Sequence, residues 1–149
     1  MGGTIRYIPA APKLDEVSGS FSGEYGSTRG GADNYRAVGV LNLPLATDVA
    51  AVRIAAAYER IGGYIDNAVT GATNINGTDL YTLRGNLLIK PSDRLSLSLL
   101  RLYQKAHQRN QDIGIGYETV TTVPTPTRDR YTLVQGKASY DLDFAELSA

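Results

Sequence analysis

Cysteine is absent from the 149 residues, which removes disulfide frameworks, thiolate zinc sites and cysteine nucleophiles together. Charge of one sign is also lacking: fifteen Lys and Arg face fifteen Asp and Glu, leaving no electrostatic footprint for nucleic acid. The one histidine, His107, falls in a polar stretch without clustered carboxylates, so it reads as a solvated side chain rather than a ligand. No apolar run reaches the length of a membrane helix, although barrel strands, which alternate, would produce no such run. Met1 to Thr4 lack the basic start and apolar core of a secretory signal. Either the protein stays inside, or its true start lies upstream.

What the chain does contain is ten tyrosines, sixteen glycines and repeated two-residue alternation, which suit strands and turns. The organising stretch is Asn34 to Arg60. Its first arm sets Tyr35, Ala37, Gly39, Leu41 and Leu43 on one phase and Arg36, Val38, Val40 and Asn42 on the other. Its second arm sets Ala50, Val52, Ile54, Ala56 and Tyr58 against Ala51, Arg53, Ala55, Ala57 and Glu59. Each arm is about the 9–11 residues that a tilted strand needs to cross a bilayer. Taken locally, Asp48 to Gly62 also fits a helix capped by Asp48 and stopped by glycine. The neighbouring segments favour strand, because Val17–Gly26, Leu80–Lys90, Leu95–Gln104 and Tyr131–Tyr140 alternate in the same way.

Two regularities run through the series. Short connections at Pro44–Asp48, Pro91–Arg94 and Asp141–Asp143 alternate with long polar ones at Ser27–Asp33, Ile61–Asp79 and Lys105–Asp129. That is the rhythm of an outer-membrane barrel. Tyr25, Tyr35, Tyr58, Tyr81 and Tyr103 fall at strand ends next to the long loops, on the apolar phase, where a barrel carries its interfacial girdle. Tyr140 lies at the opposite end of its strand, where a second girdle would sit. The polar phase, with Arg36, Arg53, Glu59, Arg84, Asn86, Gln135 and Lys137, is expected to face a lumen. Alternation of this kind also builds β-sandwiches, in which the same residues form a solvated outer face.

From GGTIRYIPAAP through SGSFSGEYGSTRGGADNYRAVGVLNLPL to VRIAAAYERIGGYIDN, the chain resembles TonB-dependent receptors of the Gram-negative outer membrane. The resemblance implies that residues 1–16 are the end of a plug domain and its connector, with Gly2, Gly3, Thr4 and Ile5 as the plug-end motif. It implies that residues 17–149 are the first six to seven strands of an incomplete transmembrane β-barrel. The implied function is active uptake of a scarce bulky solute, foremost an iron–siderophore complex. The implied partners are outer-membrane lipid and, for the full-length protein only, the TonB–ExbB–ExbD complex. The chain departs from that family in lacking a signal peptide, a TonB box, a full plug, a terminal aromatic and most of about 22 strands. A partial barrel has open edges that cannot sit in hydrocarbon, so the fragment alone is expected neither to transport nor to insert stably.

No catalytic constellation, cofactor site or metal site emerges from the spacing, and the chain is expected not to be an enzyme. Asp33, Asp48, Asp66, Asp79, Asp93 and Asp129 sit at turns, where capping explains them. Asn76-Gly77-Thr78 matches a glycosylation sequon, but an Asn-Gly turn explains it better. The doublets Gly30-Gly31 and Gly62-Gly63 lack phosphate-loop spacing and read as turns. Two rivals to transport remain: a non-transporting β-sheet or barrel that binds partners through its long loops, and a secreted β-fold enzyme, which would need two converging carboxylates.

Overall fold

The computed structural model describes residues 8–149, and all regular structure in it is β. The strands are β1 (Ser18–Gly26), β2 (Asn34–Ala46), β3 (Ala50–Ile61), β4 (Asp66–Asn67), β5 (Thr78–Ser92), β6 (Leu95–Gln108), β7 (Glu118–Thr119), β8 (Thr127–Asp141) and β9 (Glu146–Ser148). Seven of them form one sheet in the order β1-β2-β3-β5-β6-β8-β9, a meander in which every neighbouring pair is antiparallel. The helix reading of residues 48–62 gives way to β3, whose alternating residues pair along their length with both β2 and β5.

Register carries the sequence phases across the sheet. Phe21, Gly39, Ala56 and Leu83 stand in one cross-strand row, and Leu41, Ile54, Gly85, Arg101 and Val134 in the next, all on one apolar face. The other face carries Glu24, Arg36 and Glu59 in one row and Asn42, Arg53, Asn86, Leu100 and Gln135 in another. Strands run further than their patterns suggest. β2 continues through Pro44 and β5 through Pro91, each at a register shift, because a bulge tolerates a residue without an N–H. His107 lies inside β6, between Asp79 and Arg128, rather than in a loop.

The transmembrane β-barrel is corrected to an open sheet. Among the described residues β1 and β9 are opposite edges, and no pairing joins them. An edge placed in hydrocarbon leaves a row of backbone groups unsatisfied, at several kcal/mol each. The outer-membrane location and the lipid partner therefore lose their structural basis. No helix of the described residues is long and apolar enough to cross a membrane. The plug-end motif, Gly2 to Ile5, lies outside the described residues.

Candidate functional site

All three long connections, residues 27–33, 62–77 and 109–126, leave the same end of the sheet, and there they bind one another. The first meets the second where Ala32 N–H donates to the Gly63 carbonyl at 2.8 Å and Gly62 N–H to Asn34 Oδ1 at 2.8 Å. The second meets the third through parallel pairing of β4 with β7, Asp66 opposite Glu118 and Asn67 opposite Thr119. Two buried asparagines hold this junction. Asn76 Oδ1 accepts from Tyr64 N–H and Ile65 N–H at 2.7 and 2.9 Å, and its amide donates to Asp112 at 2.6 Å. Asn67 Oδ1 accepts from Val69 and Thr70 N–H, and its amide reaches the Thr121 carbonyl at 2.7 Å. Loop backbone that would otherwise need water is thus satisfied internally.

The cap displays apolar side chains outward. Ile115 and Glu118 exchange backbone hydrogen bonds around Gly116, whose φ of 66° is the left-handed conformation glycine tolerates. At this tip Ile115 is 94% exposed and Tyr117 74%, with Ile113, Val120 and Val123 also exposed alongside. The Tyr117 ring meets Tyr64 edge-on at 6.4 Å. Beside the tip lies a cavity of about 280 Å³ with a mixed lining, bordered by Asn67, Thr70, Ile75, Arg109, Thr121 and Pro124.

Below the cap runs the tyrosine row. Tyr25 packs on Tyr35 at 5.6 Å and Tyr58 on Tyr81 at 4.9 Å, all on the apolar face. Tyr103 stands two residues further from the loops than the Tyr58–Tyr81 pair, opposite Leu83. Tyr58 donates to Asp79 at 3.0 Å, and Asp79 also holds Arg109 at 3.3 Å. The row joins sheet to cap. Desolvation, followed by the Asp79 carboxylate, raises the Tyr58 pKa above 10.0. The folded state then holds the phenolic proton more tightly than the unfolded chain does. Its contribution is complete below the unfolded pKa and is lost as the pH rises past it. Urea midpoints are expected to fall as the pH rises above about 10, with a shallower slope in Tyr58→Phe; an unchanged slope would remove Tyr58 from the linkage.

The second ordered feature crosses the polar face. Residues 8–17 lie against it, pinned by Asn42, which is fully buried. Asn42 Oδ1 accepts from Lys13 N–H at 2.9 Å, and its amide donates to the Lys13 and Glu16 carbonyls at 2.9 and 2.6 Å. Asn86 adds a bond to the Ala10 carbonyl at 3.1 Å. The seven polar-phase residues share this face without converging: Arg36 and Glu59 are paired near the loops, Arg53 and Asn86 are paired mid-sheet, and Lys137 lies away on β8. Arg36 approaches Glu24 only at 3.9 Å, both exposed, which contributes little. Arg84 and Gln135 border a cavity of about 430 Å³ with Pro9. An open sheet has no lumen for them to line.

Sequence reasoning overlooked several of these residues. Asn42, flanked by two leucines, and the apolar run Ile113-Gly114-Ile115 inside a polar stretch were the available signals. Asn76 of the sequon is a buried pin, engaged at both ends of its amide.

The residues thus define an open antiparallel meander whose three long loops are hydrogen-bonded into one cap. No protein-family model, no curated protein and no solved structure matches the chain. The resemblance to TonB-dependent receptors is corrected on that ground together with the open sheet, and siderophore uptake and the TonB–ExbB–ExbD partnership go with it.

Proposed function

We propose that this chain is a non-transporting, non-catalytic binding module whose loop cap presents a preformed apolar contact surface to a protein partner. The observation that carries the reading is the Ile115–Glu118 tip, which holds Ile115 and Tyr117 outward on backbone that is already hydrogen-bonded. Large apolar side chains clustered on a surface mark interaction sites. Ordering the backbone beforehand removes much of the entropic cost of association. The carboxylates nearby support binding over catalysis, since Asp66, Asp79 and Asp112 are engaged in holding the cap.

The test is selection of peptides on the immobilised protein from a displayed library. Aromatic and aliphatic peptides are expected to enrich, and Ile115→Asp with Tyr117→Ser to weaken them by roughly tenfold or more, about 1.4 kcal/mol per factor of ten. Peptides whose affinity is indifferent to both substitutions would sink the reading.

A further inference from the structure

A net charge of zero conceals a separation of charge along the strands. Asp48, Asp93, Asp141 and Asp143 lie at the short-turn end, whereas the loop end of β6 and β8 carries Lys105, Arg128 and Arg130. Register sets these three cations side by side. Lys105 stands directly opposite Arg130, and Arg128, two residues away on β8, stands opposite His107. All three project from the tyrosine-bearing face, since Lys105 is also the direct neighbour of Tyr81. Asp129, between the two arginines in sequence, projects from the other face beside Ala106. Strand spacing and rise place the three at corners of a rectangle of about 5 Å by 7 Å.

Such an arrangement works against the sheet that carries it. Like charges directly opposite on neighbouring strands are destabilising. Nothing offsets them here: among the described residues no carboxylate pairs with Lys105, Arg128 or Arg130, and all three are exposed. Asp79, across His107 on the same face, is already bound to Tyr58 and Arg109. The adjoining edge is open as well. β9 pairs with β8 only over Ser139–Asp141, so from Thr127 to Gly136 alternate backbone N–H groups of β8 point away from the sheet as donors.

We propose that Lys105, Arg128 and Arg130 form a site for a small soluble anion that carries two or more linked phosphoryl groups. Three positive charges within so small a rectangle call for more than one negative charge in the same space. A carboxylate brings one, whereas a phosphate brings nearly two, with three strong acceptor oxygens. The arginine forks present planar donor pairs that phosphate oxygens match, and the lysine adds a compact point charge. The ligand relieves the repulsion that the free sheet carries, so binding stabilises the pairing of β6 with β8.

The probe is inorganic tripolyphosphate, titrated calorimetrically into the full chain at roughly 0.1 M salt, where distant charges are screened. Saturable binding is expected, weakened roughly tenfold or more by Arg128→Gln with Arg130→Gln. Lys105→Glu sets an acid opposite Arg130; it is expected to abolish binding and to raise the ligand-free urea midpoint, which separates lost affinity from lost folding. Arg94→Gln, at the turn end and paired with Asp143, is expected to leave the affinity unchanged. The absence of saturable heat overturns the proposal, as does an affinity indifferent to the first three substitutions, or one that sulfate matches at equal concentration. Vesicles containing phosphatidic acid distinguish a membrane headgroup from a soluble ligand: co-sedimentation that tripolyphosphate fails to displace also overturns it. The peptide selection above reads Ile115 and Tyr117 rather than these cations, so failure of either test leaves the other reading standing.

Discussion

Gly63→Ala is expected to cost about 3 kcal/mol of stability, at the upper end of overpacking effects, and to loosen all three loops together. A Cβ at Gly63 would run into the Asn74 carbonyl and the Gly77 backbone nitrogen. Neither can step aside cheaply. Ile75 N–H bonds the Ile65 carbonyl at 2.8 Å, and the Gly77 carbonyl accepts from Arg109 N–H at 2.9 Å, so movement at one point pulls on both. The Gly63 carbonyl itself receives the Ala32 N–H that ties in the first loop. Urea denaturation gives the magnitude. Hydrogen exchange at Asp66 and Ala68, whose amides bond Tyr117 and Thr119, reports whether the cap has opened. Gly39→Ala is the control, since its Cβ would meet open space on the sheet face, and a small change of either sign is expected there. If both variants behave alike, the close approach of the loops is not what constrains Gly63.

Asn42→Ala is the second large effect, also about 3 kcal/mol, because it strands three partners of a fully buried side chain at once. Each backbone group left dry costs roughly 1–3 kcal/mol, moderated by water entering the space. The local consequence is release of residues 8–17 from the polar face. Lys13 then becomes a free trypsin site, and cleavage after it is expected to accelerate by roughly tenfold or more through local opening. Asn42→Asp separates the roles, since it keeps the acceptor for Lys13 N–H and loses the donors to Lys13 and Glu16. It should fall between wild type and alanine. Unchanged proteolysis in Asn42→Ala would mean that the segment is held by Asn86 and packing alone.

These two positions sit at the same kind of place: where segments far apart in the chain are brought together by a residue whose own neighbours give no warning of it. Asn42 reads as one polar residue on an alternating strand, and only the path of residues 8–17 makes it a pin. Gly63 reads as half of a turn doublet, and only the approach of two other loops makes its missing side chain essential. Bonds such as Asn76 to Asp112 and Asn67 to Thr121 span 36 and 54 positions, without a periodicity to announce them.

By contrast, the strands, their two phases, the alternation of tight turns with long connections and the position of the tyrosines follow from the sequence alone. The physical reason is local: an extended backbone sends successive side chains to opposite faces, and a half-buried strand writes that period into its composition. Whether the sheet closes is a different matter, because an apolar phase is written identically for lipid, for a second sheet or for a partner. Closure depends on pairing between β1 and β9, which the alternation within each strand does not encode. The tertiary structure decided that point in favour of an open sheet, and it alone joined the three loops into one cap, since their hydrogen bonds exist only once the sheet has brought their roots to one end.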